Sequence, residues 1–194
     1  VFTKQMFNSK LGSDIIVNGS QGGLISFQSA AYQADSVRKG NAAVRDVDIS
    51  LVPDQIRSDS EAPFQESSGG VDLTSAEVIV SIGRGIGEES KMPIAEELAS
   101  ALGAEIAASR PVVDSGWLPS FRQIGSSGQN VSPKLYFAMG ISGAIQHVVG
   151  MKGSQNIIAI NKDPEAPIFE LADYAVVGDL HEIVPKLAEE IRSS

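Results

Sequence analysis

The 194-residue sequence has no cysteine and only two histidines, His147 and His181. Without thiols there is no disulfide, no thiolate metal site, no cysteine nucleophile and no Cys-ligated iron–sulfur cluster. Two imidazoles are too few for a His-rich metal site, and no hydrolytic set of nucleophile, base and orienting acid assembles around them. No apolar run approaches the roughly 20 residues that a membrane-spanning helix needs. Lys and Arg number 15 against 24 Asp and Glu, a formal net charge of −9. That balance argues against a nucleic-acid surface, because phosphate chains call for clustered basic residues. A nucleotide cofactor is still compatible with it, since such a ligand needs only local N–H donors and one or two cations. The sequence opens on Val1 with neither a methionine nor a signal-like apolar segment, the expectation for a processed or truncated chain.

What is present fits a soluble globular protein. The hydrophobic fraction is 42%, and 194 residues suffice for one sizeable domain or one domain plus part of another. The two ends differ in texture. Within residues 1–70, "SDIIVNG", "GLISFQ" and "RDVDISLVP" alternate in the manner of strands, and no long amphipathic helix is evident. "PDQIRSDSEAPFQESSGG" (53–70) is polar, holds two prolines and ends in Gly-Gly, so it reads as a linker or extended crossover.

From residue 71 onward, strands alternate with helices, which predicts an α/β fold with a doubly wound, mostly parallel sheet. The expected strands are "EVIVSI" (77–82), "AEIAAS" (104–109), "KLYFAM" (134–139), "NIIAIN" (156–161) and "YAVVG" (174–178). A helix carrying Ile94, Leu98 and Leu102, closed by Gly103, follows the first strand. A second is expected from about Ser142, and a last one carries Val184, Leu187, Ala188 and Ile191, with Pro185 in its first turn.

Ligands of open α/β sheets collect beyond the carboxyl ends of the strands, and the unusual stretches fall there. "SIGRGIG" (81–87) gives a backbone that a ligand can approach closely, with Arg84 as a charge for a phosphate. Its GxGxG spacing is not the GxGxxG dinucleotide fingerprint, and a purely structural turn is the competing reading. Ser109 and Arg110 follow the second strand. Arg110 is either a fixed cation facing developing negative charge or one half of a surface salt bridge.

In "GISGAIQH" (140–147), Gly140 ends a strand and Ser142 is a candidate N-cap, which predicts free amides suited to an anion. Gln146 and His147 lie one turn further on. A helical histidine is a ligand contact or a satisfied structural residue, and sequence alone leaves both open. Asn161 and Asp163 after the fourth strand, and Asp179 after the fifth, are candidates for reading a ribose or adenine, or simply turn and cap residues.

"SIGRGIG", "DSGWLPSFRQIGSSG", "LYFAMGISGAIQHVVGM" and "AINKDPEAPIFELADYAVVGDL" together closely resemble the C-terminal FAD-binding domain of electron transfer flavoprotein alpha subunits, over about residues 71–192. The resemblance implies a Rossmann-like FAD-binding domain at 71–194, a linker at 53–70, and at 1–52 a partial β-rich segment of a preceding domain. It implies one FAD, a heterodimer with a beta subunit, and electrons passed singly from flavin-containing dehydrogenases to a membrane-linked quinone oxidoreductase, as in fatty acid oxidation. Such a protein turns over no substrate of its own and is not membrane-embedded. Its compartment is the bacterial cytoplasm or the mitochondrial matrix.

By position, Arg84 then faces the pyrophosphate region, and Arg110 lies against the isoalloxazine and stabilises its one-electron-reduced, anionic form. Gln123, Ile124, Gly125, Ser126, Ser127 and Gly128 wrap the ring, with the Ser127 hydroxyl near N5. Gly140, Ser142 and Gly143 meet phosphate, and Gln146 and His147 approach the ribityl and the pyrimidine edge. Asn161, Asp179 and Leu180 bind the adenosine end, and Ser109 completes the set. The small residues on both sides of "KLYFAM" become two ligand-facing loops, one for the ring and one for the phosphates. One departure is Ser126, where many family members carry a long amide side chain. The rival expectation, from fold alone, is a module that binds ADP, AMP or NAD without redox chemistry.

Overall fold

The computed structural model describes residues 1–7, 11–19, 25–27, 38–48 and 71–193. Near the start, Phe2–Met6 (β1) and Leu11–Ile15 (β2) pair antiparallel, with Phe2 opposite Ile15. β2 overlaps only the beginning of "SDIIVNG", and β1 has no counterpart among the expected strands. Residues 25–27 and 45–48, which belong to the other two expected strands, lie outside any strand. Alternation suits a residue run to a pleated surface, but a strand also needs a partner for its backbone groups. The expected linker at 53–70 lies outside the described residues.

From residue 71 the alternation becomes a sheet. Its strands are Val78–Ile82 (β3), Glu105–Ala108 (β4), Leu135–Met139 (β5), Asn156–Asn161 (β6) and Tyr174–Val177 (β7). Between and after them run the helices Pro93–Leu102 (α1), Arg110–Asp114 (α2), Ile145–Met151 (α3) and Leu180–Ser193 (α4). The five strands lie in the order β4-β3-β5-β6-β7 and every neighbouring pair is parallel. The chain leaves β3 toward one edge, then returns past it to lay down β5, so the direction of winding reverses between β3 and β5. That reversal opens a crevice at the carboxyl ends of these two strands, the usual ligand position in doubly wound sheets.

The pleat divides the core into two layers. Val80, Ile82, Phe137, Met139 and Ile160 face one way and pack with Leu98 of α1, Val112 of α2, and Leu180, Val184 and Ala188 of α4. Ile79, Tyr136, Ala138, Ile157 and Ala159 face the other way and pack with Met151 of α3, Ile124, Val131 and Ile168. Strands buried on both faces read as continuous apolar runs, which is why "VIVSI" and "LYFAM" are so legible. α1 ends where expected: Gly103 adopts φ 61°, ψ 34°, and its amide turns back to Ala99 and Ser100 carbonyls.

"RPVVD", to which the sequence assigned no element, forms the helix α2, because Pro111 stands in its first turn, where a missing N–H costs nothing. Two local expectations are corrected. α3 starts at Ile145, not near Ser142, and its N-cap is Ala144 with no side-chain cap bond. Gly143 at φ 90° and Ala144 in an extended conformation keep the chain out of the helix until then. Ser142 is therefore not an N-cap, and its carbonyl accepts instead from the Ile168 amide at 3.0 Å. Finally, α4 begins at Leu180, which puts Pro185 inside the helix beyond its first turn. Pro185 has no N–H, so the bond to the His181 carbonyl is missing.

Candidate functional site

The switch point is built from glycine. The Gly83 amide bonds the Met139 carbonyl at 2.8 Å and the Gly85 amide bonds the Gly140 carbonyl at 3.0 Å. The turn after β3 thus lies directly on the turn after β5, at a distance no side chain permits. A Cβ on Gly85 would stand 2.7 Å from the Gly140 Cα. Gly140 itself holds φ 62°, the left-handed region where glycine carries no penalty.

A second loop closes the other side. The Ile124 amide bonds the Ala108 carbonyl at 2.9 Å, fixing residues 123–129 to the end of β4. The Ser126 amide bonds the Gln146 carbonyl at 2.7 Å, fixing the same loop to the first turn of α3. Within the loop, Gln123 Nε2 donates to Ser127 Oγ at 2.9 Å, and Gln129 Nε2 donates to the Phe121 carbonyl at 2.6 Å.

Between these loops lies a cavity of about 700 Å³, within the range of about 300–1,000 Å³ common to small-molecule and cofactor sites. It gathers Arg84, Ser109 and Arg110 from the ends of β3 and β4, and Gln123, Ile124, Gly125, Ser126 and Ser127 from the loop. Gly140, Ser142, Gln146, His147, Asn161 and Asp163 line it as well. Gly85, Pro111, Ile141, Ala144, Ala166 and Pro167 also line it and were not singled out by the sequence as site residues. They are mostly backbone or small apolar surface, which carries no chemical signature in a sequence.

Four expected site residues do not line the cavity. Gly143 is buried and Gly128 exposed, and an added Cβ would collide with the Pro167 and Ile168 backbone at Gly143 and with the Gln123 backbone at Gly128. Leu180 is 2% exposed and belongs to the α1–α4 core layer. Asp179 receives the His181 amide at 2.9 Å and Lys162 Nζ at 3.0 Å. The His181 amide, then the Lys162 ammonium, hold its carboxyl below the usual range. Those contacts describe a helix cap with an exposed ion pair.

Arg110 and Asn161 line the cavity and also make contacts within the chain. Arg110 Nε lies 3.3 Å from Asp114 Oδ2, an exposed i,i+4 pair, while the residue also lines the cavity. Asn161 Nδ2 donates to the Ile141 carbonyl at 2.9 Å and its Oδ1 accepts from the Asp163 amide at 3.0 Å, so it also braces the loop after β5.

His147 is 6% exposed at the cavity wall. Its Nε2 lies 2.8 Å from the Tyr136 hydroxyl, while Nδ1 makes no hydrogen bond of acceptable geometry. Desolvation lowers its pKa to about 4, against a smaller opposing effect of the Ile124 backbone. The imidazole is therefore neutral at ordinary pH, and the cavity's positive charge comes from Arg84 and Arg110.

Residues 72–152, which include the glycine turns, the 123–129 loop and α3, match the family model described as the electron transfer flavoprotein FAD-binding domain. Over these residues the chain is similar to the electron transfer flavoprotein alpha family. It is 48% identical over 158 residues to the electron transfer flavoprotein subunit alpha of Thermoanaerobacterium thermosaccharolyticum, covering 81% of this chain and 47% of that protein. The corresponding subunit of Paracoccus denitrificans is 56% identical over 120 residues, 62% of this chain and 39% of the relative. The mitochondrial subunit alpha of Dictyostelium discoideum is 45% identical over 173 residues, 86% of this chain and 49% of the relative. The chain thus spans about half the length, or less, of the electron transfer flavoprotein subunits it matches.

Proposed function

We propose that this chain holds FAD in the switch-point cavity and forms the flavin-bearing part of a one-electron carrier. In this reading it pairs with a beta subunit, takes electrons from flavin-containing dehydrogenases and delivers them to a membrane-linked quinone oxidoreductase. Residues 71–194 are the FAD-binding domain, 53–70 the linker and 1–52 part of a preceding domain. The compartment is the cytoplasm of a bacterium or the mitochondrial matrix.

The observation that carries the reading is the convergence of the cavity lining with the family match. The same turns that match the FAD-binding domain model also enclose a cavity of cofactor size. The donor set also suits a flavin dinucleotide. Backbone without side chains at Gly85 and Gly140 suits a close-lying phosphate chain, and two guanidiniums suit its charge. Gln123, Ser127, Gln146 and Asn161 offer amides and hydroxyls for the polar edges of a ring and a ribose.

When bound, FAD supplies the redox chemistry, accepting and releasing electrons. The chain's own residues bind, orient and bias it. The 123–129 loop, tied at both ends, covers one side of the cavity and keeps the polar groups of Gln123 and Ser127 in fixed positions. Arg110 contributes a positive charge that needs no proton and favours whichever state of the ligand is the more negative. Arg84 does the same for the phosphates.

The test is the identity of what the purified chain carries, released by heat and separated by chromatography. The expected result is FAD, about one per chain, with a visible flavin spectrum before release. Recovery of ADP, AMP or NAD without flavin, and no uptake of added FAD, would replace this reading with that of a nucleotide-binding module.

A further inference from the structure

Tyr136 is completely buried in the sheet layer behind the cavity, and its hydroxyl has one hydrogen-bonding contact of good geometry, His147 Nε2 at 2.8 Å. The rings are tilted by 58° with centroids 6.2 Å apart, so the contact runs through the phenol oxygen and not through stacking. Two proton arrangements are compatible with such a distance. Either the phenol donates to a bare Nε2, or Nε2–H donates to the phenol oxygen and the phenol proton goes elsewhere.

The surroundings separate them. In the second arrangement the phenol proton needs another acceptor, and Ser81 is the buried hydroxyl beside it, diagonal to Tyr136 across the β3–β5 pairing. Ser81 Oγ makes no hydrogen bond of acceptable geometry, so it offers the phenol proton no second acceptor. The second arrangement would leave both that proton and Nδ1 unpaired in a dry layer. Donation from Tyr136 to Nε2 uses the phenol proton and leaves only Nδ1–H, on a side chain that lines the cavity, without a partner.

We propose that Tyr136 is a positioning residue whose hydroxyl locks His147 as the neutral tautomer bearing its proton on Nδ1. Imidazole in water prefers the proton on Nε2, so the lock works against the intrinsic preference. It also fixes the ring between β5 and the loop that carries Ile124. The one polar hydrogen that His147 retains for other groups is then Nδ1–H. A ligand group meeting this side chain has to be a hydrogen-bond acceptor. The inference deepens the flavin reading, but its spectroscopic test needs no flavin.

The experiment is long-range proton–nitrogen correlation NMR of the chain labelled with 15N-histidine at neutral pH. His181→Gln assigns the second of the two imidazoles. The expected result is a pyrrole-type Nδ1 and a pyridine-type Nε2 for His147. In Tyr136→Phe the two nitrogen signals should exchange character or average. A pyrrole-type Nε2 in the unaltered chain overturns the proposal, as does an unchanged pattern in a folded Tyr136→Phe variant. Should Tyr136→Phe fail to fold, the pattern of the unaltered chain alone decides. A separate FAD titration of the same sample distinguishes failure of the flavin reading: an Nδ1–H tautomer without flavin binding leaves the lock standing.

Discussion

Gly85 and Gly140 meet backbone to backbone across the winding switch, and a Cβ on either one would lie 2.7 Å from the Cα of the other. The turn after β3 and the turn after β5 are therefore spaced by the absence of side chains, and the cavity sits on that contact. Gly140→Ala is expected to combine a left-handed φ with a backbone collision and to lower stability by roughly 2–4 kcal/mol. Gly103→Ala shares the left-handed φ but has open space around it, so it should cost only about 1–2 kcal/mol. Urea unfolding midpoints of the two variants make the comparison, and equal losses would contradict the steric argument.

Gly150 provides a prediction of sign. It lies inside α3, where alanine normally stabilises a helix by about 1 kcal/mol relative to glycine. A Cβ there would stand 2.7 Å from the Gly125 Cα. Gly150→Ala is therefore expected to destabilise the chain by roughly 1–3 kcal/mol and to loosen the 123–129 loop. Unfolding midpoints together with proteolysis within that loop provide the check.

Arg110 separates binding from folding. Its pair with Asp114 is solvent-exposed on both sides, and such pairs contribute at most about 1 kcal/mol. Arg110→Ala should leave the unfolding midpoint almost unchanged. It should weaken the binding of an anionic ligand in the cavity about tenfold, on the order of 1.4 kcal/mol for a charge-assisted contact. Calorimetric titration with FAD measures the loss, which should shrink as salt rises.

His147 predicts a pH dependence. Its folded pKa, about 4, is below the ordinary histidine value of 6.5. The unfolded chain therefore binds more protons between those values, and stability falls as pH falls. The contribution is fully present above about pH 6.5 and is lost progressively down to about pH 4, amounting to up to about 3 kcal/mol. Urea unfolding between pH 4 and 7 should show this slope, and a folded variant lacking the imidazole should show less of it.

Much of the fold was legible because the second part of the chain obeys local rules. "NIIAIN" is β6 from end to end, and Gly103 closes α1 as its position suggests. What escaped depends on contacts between distant residues. β1 becomes a strand only through β2. Pro111 looks like a breaker but opens α2, because a proline's effect depends on its place in the turn. Ser142 has the chemistry of a cap, yet Gly143 takes the chain away from the helix. For the site, the glycine turns and the polar residues at strand ends were readable, since ligand position follows from sheet topology. The Tyr136–His147 pair was not, because it joins the middle of a strand to a helix and its signal is a distance.

The central claim is that FAD occupies the cavity at the β3–β5 switch, and hydrogen–deuterium exchange with and without saturating FAD tests it most directly. The account predicts slower exchange in residues 83–87, 123–129 and 140–147, with little change in α1 and α4, and no comparable effect from NAD. Unchanged exchange in those three segments, or equal protection by NAD, would contradict it.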